Sequence, residues 1–300
     1  MRQLEHCGVP LKKWHRPGRQ SNGAAKDRNA VYHRRAAEAG RGGLFRSLAL
    51  IGRNCEYLEQ HFDRTGADAS TRQAVADINT AAMQLDRTLS EAITLLEFLH
   101  EEAKPQLYPI DLCELLQQVS AQSDMIRAQL GVDIRLDYGG CTACCVMADR
   151  RDAELLCLHL LSNALRASRE GGCVCIALRR TESGWQLTVT DDGCGLPGED
   201  AQAALENRRS FLGGAQLGLL LCRECCRRMN WSLQLEPAPA KGTKAVVSIP
   251  LYAGESRPDG TVELRTDSET EREQRKYHLR AMLVREMRTM PERGDPDEEL

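Results

Sequence analysis

Apolar and near-apolar positions recur at Leu44, Leu48, Ile51, Cys55, Leu58 and Phe62 in alternating steps of four and three, which lines one face of a helix. After the turn-like stretch DRTGADAS a second series runs Val75, Ile78, Ala82, Leu85, Leu89, Ala92, Leu96 and Leu99, a heptad seam of the kind that needs partner helices. A short loop between two such helices predicts an antiparallel hairpin, and one hairpin alone leaves apolar surface uncovered. A second copy would cover it as a four-helix bundle, so a homodimer is expected. The alternative is a hairpin that packs on the domain following it.

The pattern changes past Pro105 and Pro109, with Asp111 placed to cap a helix over LCELLQQV. Strands are expected at VDIRLDY, CVM, CVCIAL, WQLTVT, WSLQLE and KAVVSIP, and helices over residues 151–168 and 217–229. Mixed strands alternating with helices predict an α+β fold, a two-layer sandwich with helices on one face of a mixed sheet. The expected division is a basic flexible arm over residues 1–43, a helical hairpin over 44–104, the sandwich over 105–252 and a charged tail over 253–300. Within the tail one amphipathic helix is expected over 268–290.

Composition narrows the class. A hydrophobic share of 42% in 300 residues supports a sizeable core and a smaller element. The net charge of -3 argues against nucleic acid as a partner of the folded part. Met1 to Arg46 is the exception, with eleven Lys and Arg against three Asp and Glu, a stretch that reads as disorder or as a contact for an anionic partner. No apolar run reaches the roughly 20 residues of a membrane span. With no secretory leader pattern, the expectation is a cytoplasmic protein whose 13 cysteines stay reduced. Cys141, Cys144 and Cys145, and Cys222, Cys225 and Cys226, have zinc-like spacing, but both sets fall in apolar elements where cysteine serves as a small hydrophobe.

Three stretches place a polar residue or glycines where an apolar element would not ask for them. In HLLSNALRAS, Asn163 lies within an apolar helix with His159 four residues before it on the same face, and a buried amide demands a partner. In TVTDDGCGLP a strand runs into Asp191, Gly193 and Gly195, giving a carboxylate at a strand end and a chain free to pass close to something flat; an ordinary Asp-Gly turn accounts for the same letters. In GGAQLGLLL, Gly213, Gly214 and Gly218 precede or open a helix whose N-terminus would favour a phosphate.

In order and spacing, Asn163, Asp191 with Gly193 and Gly195, Gly214 with Gly218, and Gly242-Thr243 resemble the N, G1, G2 and G3 boxes of the ATPase superfamily shared by gyrase, Hsp90, histidine kinases and MutL. The hairpin, PIDLCELLQQV and AQLGVDIRLDY extend the resemblance to sensor histidine kinases over roughly residues 44–251. The resemblance implies a sandwich of the histidine kinase/Hsp90-like ATPase type, with ATP and Mg²⁺ as ligands. It implies that Asn163 coordinates Mg²⁺, with His159 beside it and Arg166 neutralising phosphate charge. Asp191 would accept from the adenine amine, Gly193 and Gly195 would let the backbone pass the base, and Thr243 would support Asp191 through a water. Gly214, Gly218 and Leu219 would shape the lid and the phosphate-facing helix start.

The chain departs from that family in two places. The lid between Gly195 and Gly214 is short, with Phe211 its one aromatic and Gln216 where a glycine is usual. More seriously, the phosphoacceptor histidine and its following acid are replaced by Gly42 and Gly43. His33 is the nearest alternative acceptor, and a helix joining it to the hairpin must cross Gly40, Gly42 and Gly43 at about 1 kcal/mol each. Two functions follow. One is a two-component histidine kinase that passes phosphate from ATP to histidine and on to an Asp of a response regulator. The other is a degenerate kinase that binds ATP and a partner without autophosphorylation. A third, an ATP-hydrolysing clamp, lacks a carboxylate base beside Asn163, where His159 stands instead.

Overall fold

The structure, a computed structural model, describes residues 22–99, 104–141, 143–195, 217–252 and 269–288. The chain divides into two compact units, Met1–Ile51 and Gly52–Leu300. The division falls inside the first helix, α1 (Asn22–Thr65).

The described part of the first unit is helical throughout. Gly40, Gly42 and Gly43 lie within the helix. Arg46 Nε donates to the Gly42 carbonyl at 2.9 Å and Ser47 Oγ to that of Gly43 at 3.1 Å. The alanine- and arginine-rich residues before the glycines are strong helix formers, so continuation of an existing ladder offsets their local cost.

In the second unit α1 ends at Gly66, whose φ of 78° suits a residue without Cβ. Asp68 then caps α2 (Ala69–Leu99), accepting from the Thr71 N–H and hydroxyl at 2.8 Å each. The heptad seam of α2 is only partly covered: Val75 and Ala82 are buried, whereas Ile78, Leu85 and Leu96 are each more than half exposed.

β1 (Tyr108–Asp111) and β3 (Cys145–Ala148) form a two-stranded antiparallel sheet. Asp111 accepts from Cys113 N–H at the start of α3 (Leu112–Ser120), as expected of a cap, and also from Cys144 N–H at 3.0 Å. α4 (Ser123–Leu130) follows α3.

The main sheet has the order β2-β4-β5-β7-β6, from β2 (Asp133–Asp137), β4 (Cys173–Thr181), β5 (Gly184–Thr190), β6 (Ser232–Pro237) and β7 (Thr243–Pro250). β2 and β4 run parallel and the other pairs antiparallel. Register brings Leu136, Ile176, Val189, Ala245 and Leu235 into one row, and Leu178, Leu187, Val247 and Leu233 into the next. These rows make one apolar face, while Gln186, Ser232, Gln234 and Ser248 alternate onto the other.

Two long helices meet the apolar face, α5 (Arg150–Ala167) and α6 (Leu217–Arg228), completing the α+β sandwich. Leu156, Leu161, Leu165, Leu221, Cys222 and Cys225 fill the layer between. Among the described residues Cys222, Cys225 and Cys226 are free, buried thiols, in keeping with their reading as small hydrophobes.

The tail helix, α7 (Glu269–Arg288), is part of this core. Leu279, Leu283 and Met287, spaced by four, are buried in it. No helix among the described residues is long and apolar enough to cross a membrane.

Candidate nucleotide site

α5 begins at Asp149, whose side chain accepts from the N–H groups of Arg151 at 3.0 Å and Asp152 at 3.4 Å. Near its C-terminal end the helix presents His159, Ser162, Asn163 and Arg166. His159 is 4% exposed and Ser162 fully buried. The Asn163 Nδ2 atom is buried and has no hydrogen-bond partner among the described residues. An orphaned amide of this kind costs on the order of 1–3 kcal/mol unless a ligand satisfies it.

β5 delivers Asp191, which is 6% exposed. Its Oδ1 accepts from Gly193 N–H at 3.0 Å and Thr243 N–H at 3.1 Å, and its own N–H donates to the Thr243 carbonyl at 2.9 Å. Thr243 therefore supports Asp191 directly through its backbone. Burial pushes the Asp191 carboxyl above its ordinary value, against the opposing pull of those N–H donors.

Two glycines make this loop possible. A Cβ on Gly193 would stand 2.1 Å from the Ala167 carbonyl, one turn beyond Asn163, and one on Gly242 would stand 2.1 Å from the Asp191 carbonyl. Gly242 also has a φ of 103°. Their absent side chains bring the Asp191 loop, the end of α5 and the start of β7 together. Gly195, with a φ of 80°, closes the described part of the loop.

At α6 the second residue, Gly218, is buried, and a Cβ there would meet Arg87, Glu91 and His159 side-chain atoms at 3.5–3.6 Å. Leu219 packs against the core. Gly214, Phe211 and Gln216 lie outside the described residues. His33 falls in α1, and its side chain is also outside them.

A charge cluster missed in the sequence reading joins three helices at this point. Arg87 Nε lies 2.8 Å from Glu91 Oε1 and 3.1 Å from Glu286 Oε2. Glu286 Oε2 accepts from Ser162 Oγ at 2.7 Å and lies 4.0 Å from Arg166. His159 Nδ1 lies 3.6 Å from Glu91. Burial raises the Glu91 carboxyl although Arg87 pulls the other way, and burial followed by Arg87 lowers the Arg166 guanidinium to about 10. Glu91, His159 and Glu286 lie within metal-ligand reach of one another, but the cation already between the two carboxylates is Arg87. In the sequence Arg87 and Glu91 are an i,i+4 pair off the apolar seam, a pattern that usually marks a solvated face.

The angle between α5 and α6 is held by a second buried pair. Arg228 Nε donates to Asp152 Oδ2 at 2.7 Å, with side-chain exposures of 8% and 2%. The Arg228 guanidinium also lies 4.1 Å from the centroid of the Phe98 ring on α2.

Residues 148–253 match the family profile described as histidine kinase-, DNA gyrase B-, and HSP90-like ATPase. The span takes in Asn163, Asp191, Gly218 and Thr243. Residues 148–253 therefore form a domain of this ATPase family. The chain is 26% identical to sporulation kinase C of Bacillus subtilis over 172 residues, 56% of this chain and 39% of that protein. It is 30% identical to the adaptive-response sensory kinase SasA of a Nostoc species over 114 residues, 36% of this chain and 28% of that protein. The chain spans less than half the length of these relatives. The structure of full-length ShkA in complex with AMPPNP shares the fold, with a TM-score of 0.51 and 17% identity over 68% of this chain and 45% of that one.

Proposed function

We propose that the ATPase domain binds Mg-ATP and that the chain is a cytoplasmic, histidine kinase-like signalling protein of a two-component system. The observation that carries this reading is Asp191. Its Oδ1 is occupied by two backbone donors, and its Oδ2 makes no hydrogen bond among the described residues. A carboxylate held in this way beside a chain kept bare by Gly193 and Gly195 accepts the exocyclic amine of adenine and discriminates against guanine, which presents an oxygen there.

The remaining residues fit the phosphate end of the same ligand. The amide of Asn163 would hold Mg²⁺, which neutralises phosphate charge when bound. Arg166 adds positive charge, and the start of α6 at Gly218 offers N–H groups to phosphate oxygens. The AMPPNP bound by ShkA supports an adenine nucleotide as the occupant.

In the kinase reading a histidine ring nitrogen attacks the γ-phosphorus, the bond to the bridging oxygen breaks, and phosphohistidine and ADP result. The phosphoryl group then passes to a response-regulator aspartate. His33 is the acceptor candidate. The second reading, ATP binding and partner binding without autophosphorylation, is favoured by Gly42 and Gly43, which offer no nucleophile where the family has its histidine and acid. In both readings Ile78, Leu85 and Leu96 leave an apolar seam that a second copy covers in a homodimer.

The fate of γ-labelled ATP separates the two. Acid-labile, alkali-stable label on the protein, lost in His33→Ala, supports the kinase. ATP bound and recovered unchanged supports the pseudokinase. No binding in the presence of Mg²⁺ sinks the site.

A further inference from the structure

The charge cluster at α5 has the composition of an anion site with its anion supplied by the chain itself. Glu286 comes from α7, 124 residues beyond Ser162 in sequence, and its carboxylate is 4% exposed. It takes one hydroxyl donor from Ser162, the guanidinium of Arg87 at 3.1 Å, and stands 4.0 Å from that of Arg166. Arg166 Nη2 lies a further 3.4 Å from the Glu286 carbonyl. Gly218, in the first turn of α6, borders the same cluster through Arg87. Two guanidinium groups, a hydroxyl and a helix N-terminus are the donors a phosphate requires.

Those donors stand in the machinery assigned above to the nucleotide. Ser162 precedes Asn163, and Arg166 is one turn after it. While Glu286 holds Ser162, Arg87 and Arg166, their charge and donor capacity are unavailable to phosphate. A nucleotide that uses them must displace the carboxylate, and the docked helix with it.

We propose that Arg87, Ser162 and Arg166 form part of the phosphate site, and that α7 closes this site in cis by seating Glu286 where a nucleotide phosphate binds. This inference rests on the reading of the domain as an ATP site and adds two residues to it, Ser162 and Arg87, the latter from the hairpin. It also makes the tail helix a competitor of the ligand. The apparent affinity is then the intrinsic affinity multiplied by the fraction of molecules with α7 undocked. A partner that captures the apolar stripe of Leu279, Leu283 and Met287 would raise that fraction, which links the nucleotide site to a signal without any contact between signal and ATP.

Calorimetric titration of the full chain with Mg-ATP tests this, using four proteins: the wild type, Glu286→Gln, Leu283→Ala and Asp191→Asn. Glu286→Gln removes the competing charge, and Leu283→Ala loosens the helix while leaving every charge in place. The proposal expects both to bind at least about tenfold tighter than wild type, with Asp191→Asn binding least. It also expects Mg-ATP to speed amide exchange over residues 279–287 in the wild type. Equal affinity in the wild type, Glu286→Gln and Leu283→Ala, with binding still lost in Asp191→Asn, would overturn the competition and leave the adenine site standing. Binding by none of the four would remove the ATP reading and this inference together.

Discussion

Asp191 and Thr243 clasp each other through two backbone-linked bonds: the Thr243 N–H donates to Asp191 Oδ1 at 3.1 Å, and the Asp191 N–H donates to the Thr243 carbonyl at 2.9 Å. β5 and β7 are adjacent strands, so the clasp is an extension of their ladder by one residue. The carboxylate is thereby fixed to the rigid part of the fold before any ligand arrives. Preorganisation of this kind lowers the ordering cost of binding.

On the proposed reading this geometry gives ATP affinity an acid limit, because adenine recognition would need Asp191 ionised and burial raises its folded-state pKa above the ordinary 3.8. Affinity is expected to fall as pH drops through a midpoint higher than that value. The stability sign is opposite: a carboxyl with a raised folded pKa takes up its proton more readily folded than unfolded, so for this group folding gains as pH falls. Affinity measured across pH alongside a thermal melt should show binding lost before the fold. Affinity that holds down to the ordinary carboxylate range would contradict the role of Asp191.

Asp152 and Arg228 supply a stability prediction. Asp152→Ala leaves a guanidinium 8% exposed without its counterion, and breaking a buried pair from one side costs about 3 kcal/mol or more. Urea unfolding should show that loss. A change below about 0.5 kcal/mol, the size of a surface substitution, would mean the pair does not set the α5–α6 packing.

The glycines of α1 are expected to be dispensable for the helix. A Cβ at Gly42 or Gly43 meets nothing within 4 Å, so each change to alanine should stabilise the helix by up to about 1 kcal/mol. Higher helicity by circular dichroism in Gly42→Ala with Gly43→Ala is the expected result. Unchanged or lower helicity would show that the helix is not continuous there.

Ile78, Leu85 and Leu96 are 53%, 51% and 59% exposed within one chain. Leu85→Glu places charge on that seam and is expected to convert a dimer into a monomer in sedimentation, with little effect on the fold of the ATPase domain. A wild type that is monomeric at high concentration would argue that the hairpin has no second copy as partner.

Much of this architecture was legible in the sequence, because strands and helices here obey their own periods. Asn163 and Asp191 stood out because a polar residue in an apolar helix and glycines at a strand end are both locally unfavourable without a use. β1 was missed because Pro109 argues against a strand; it is tolerated in a two-stranded sheet, opposite Met147. The helix through Gly40, Gly42 and Gly43 was missed because propensity is a local measure, whereas a hydrogen-bond ladder carries over from its neighbours.

The docking of α7 was harder to see. Its helical pattern was legible, but Leu279, Leu283 and Met287 sit among so many charges that the segment reads as solvated. Only the fold brings Glu286 to Ser162 and Arg87. Long-range charge pairing leaves no signature in the spacing of residues.

The most direct test of the central claim is the affinity of the wild type and Asp191→Asn for Mg-ATP and Mg-GTP. Asparagine retains an oxygen for the Gly193 and Thr243 N–H groups, so the fold should persist while the charged acceptor is lost. The account predicts that the wild type prefers ATP and that Asp191→Asn loses about 2 kcal/mol or more of ATP affinity, roughly thirtyfold. Equal ATP affinity in the two proteins, or no preference for ATP over GTP in the wild type, would contradict it.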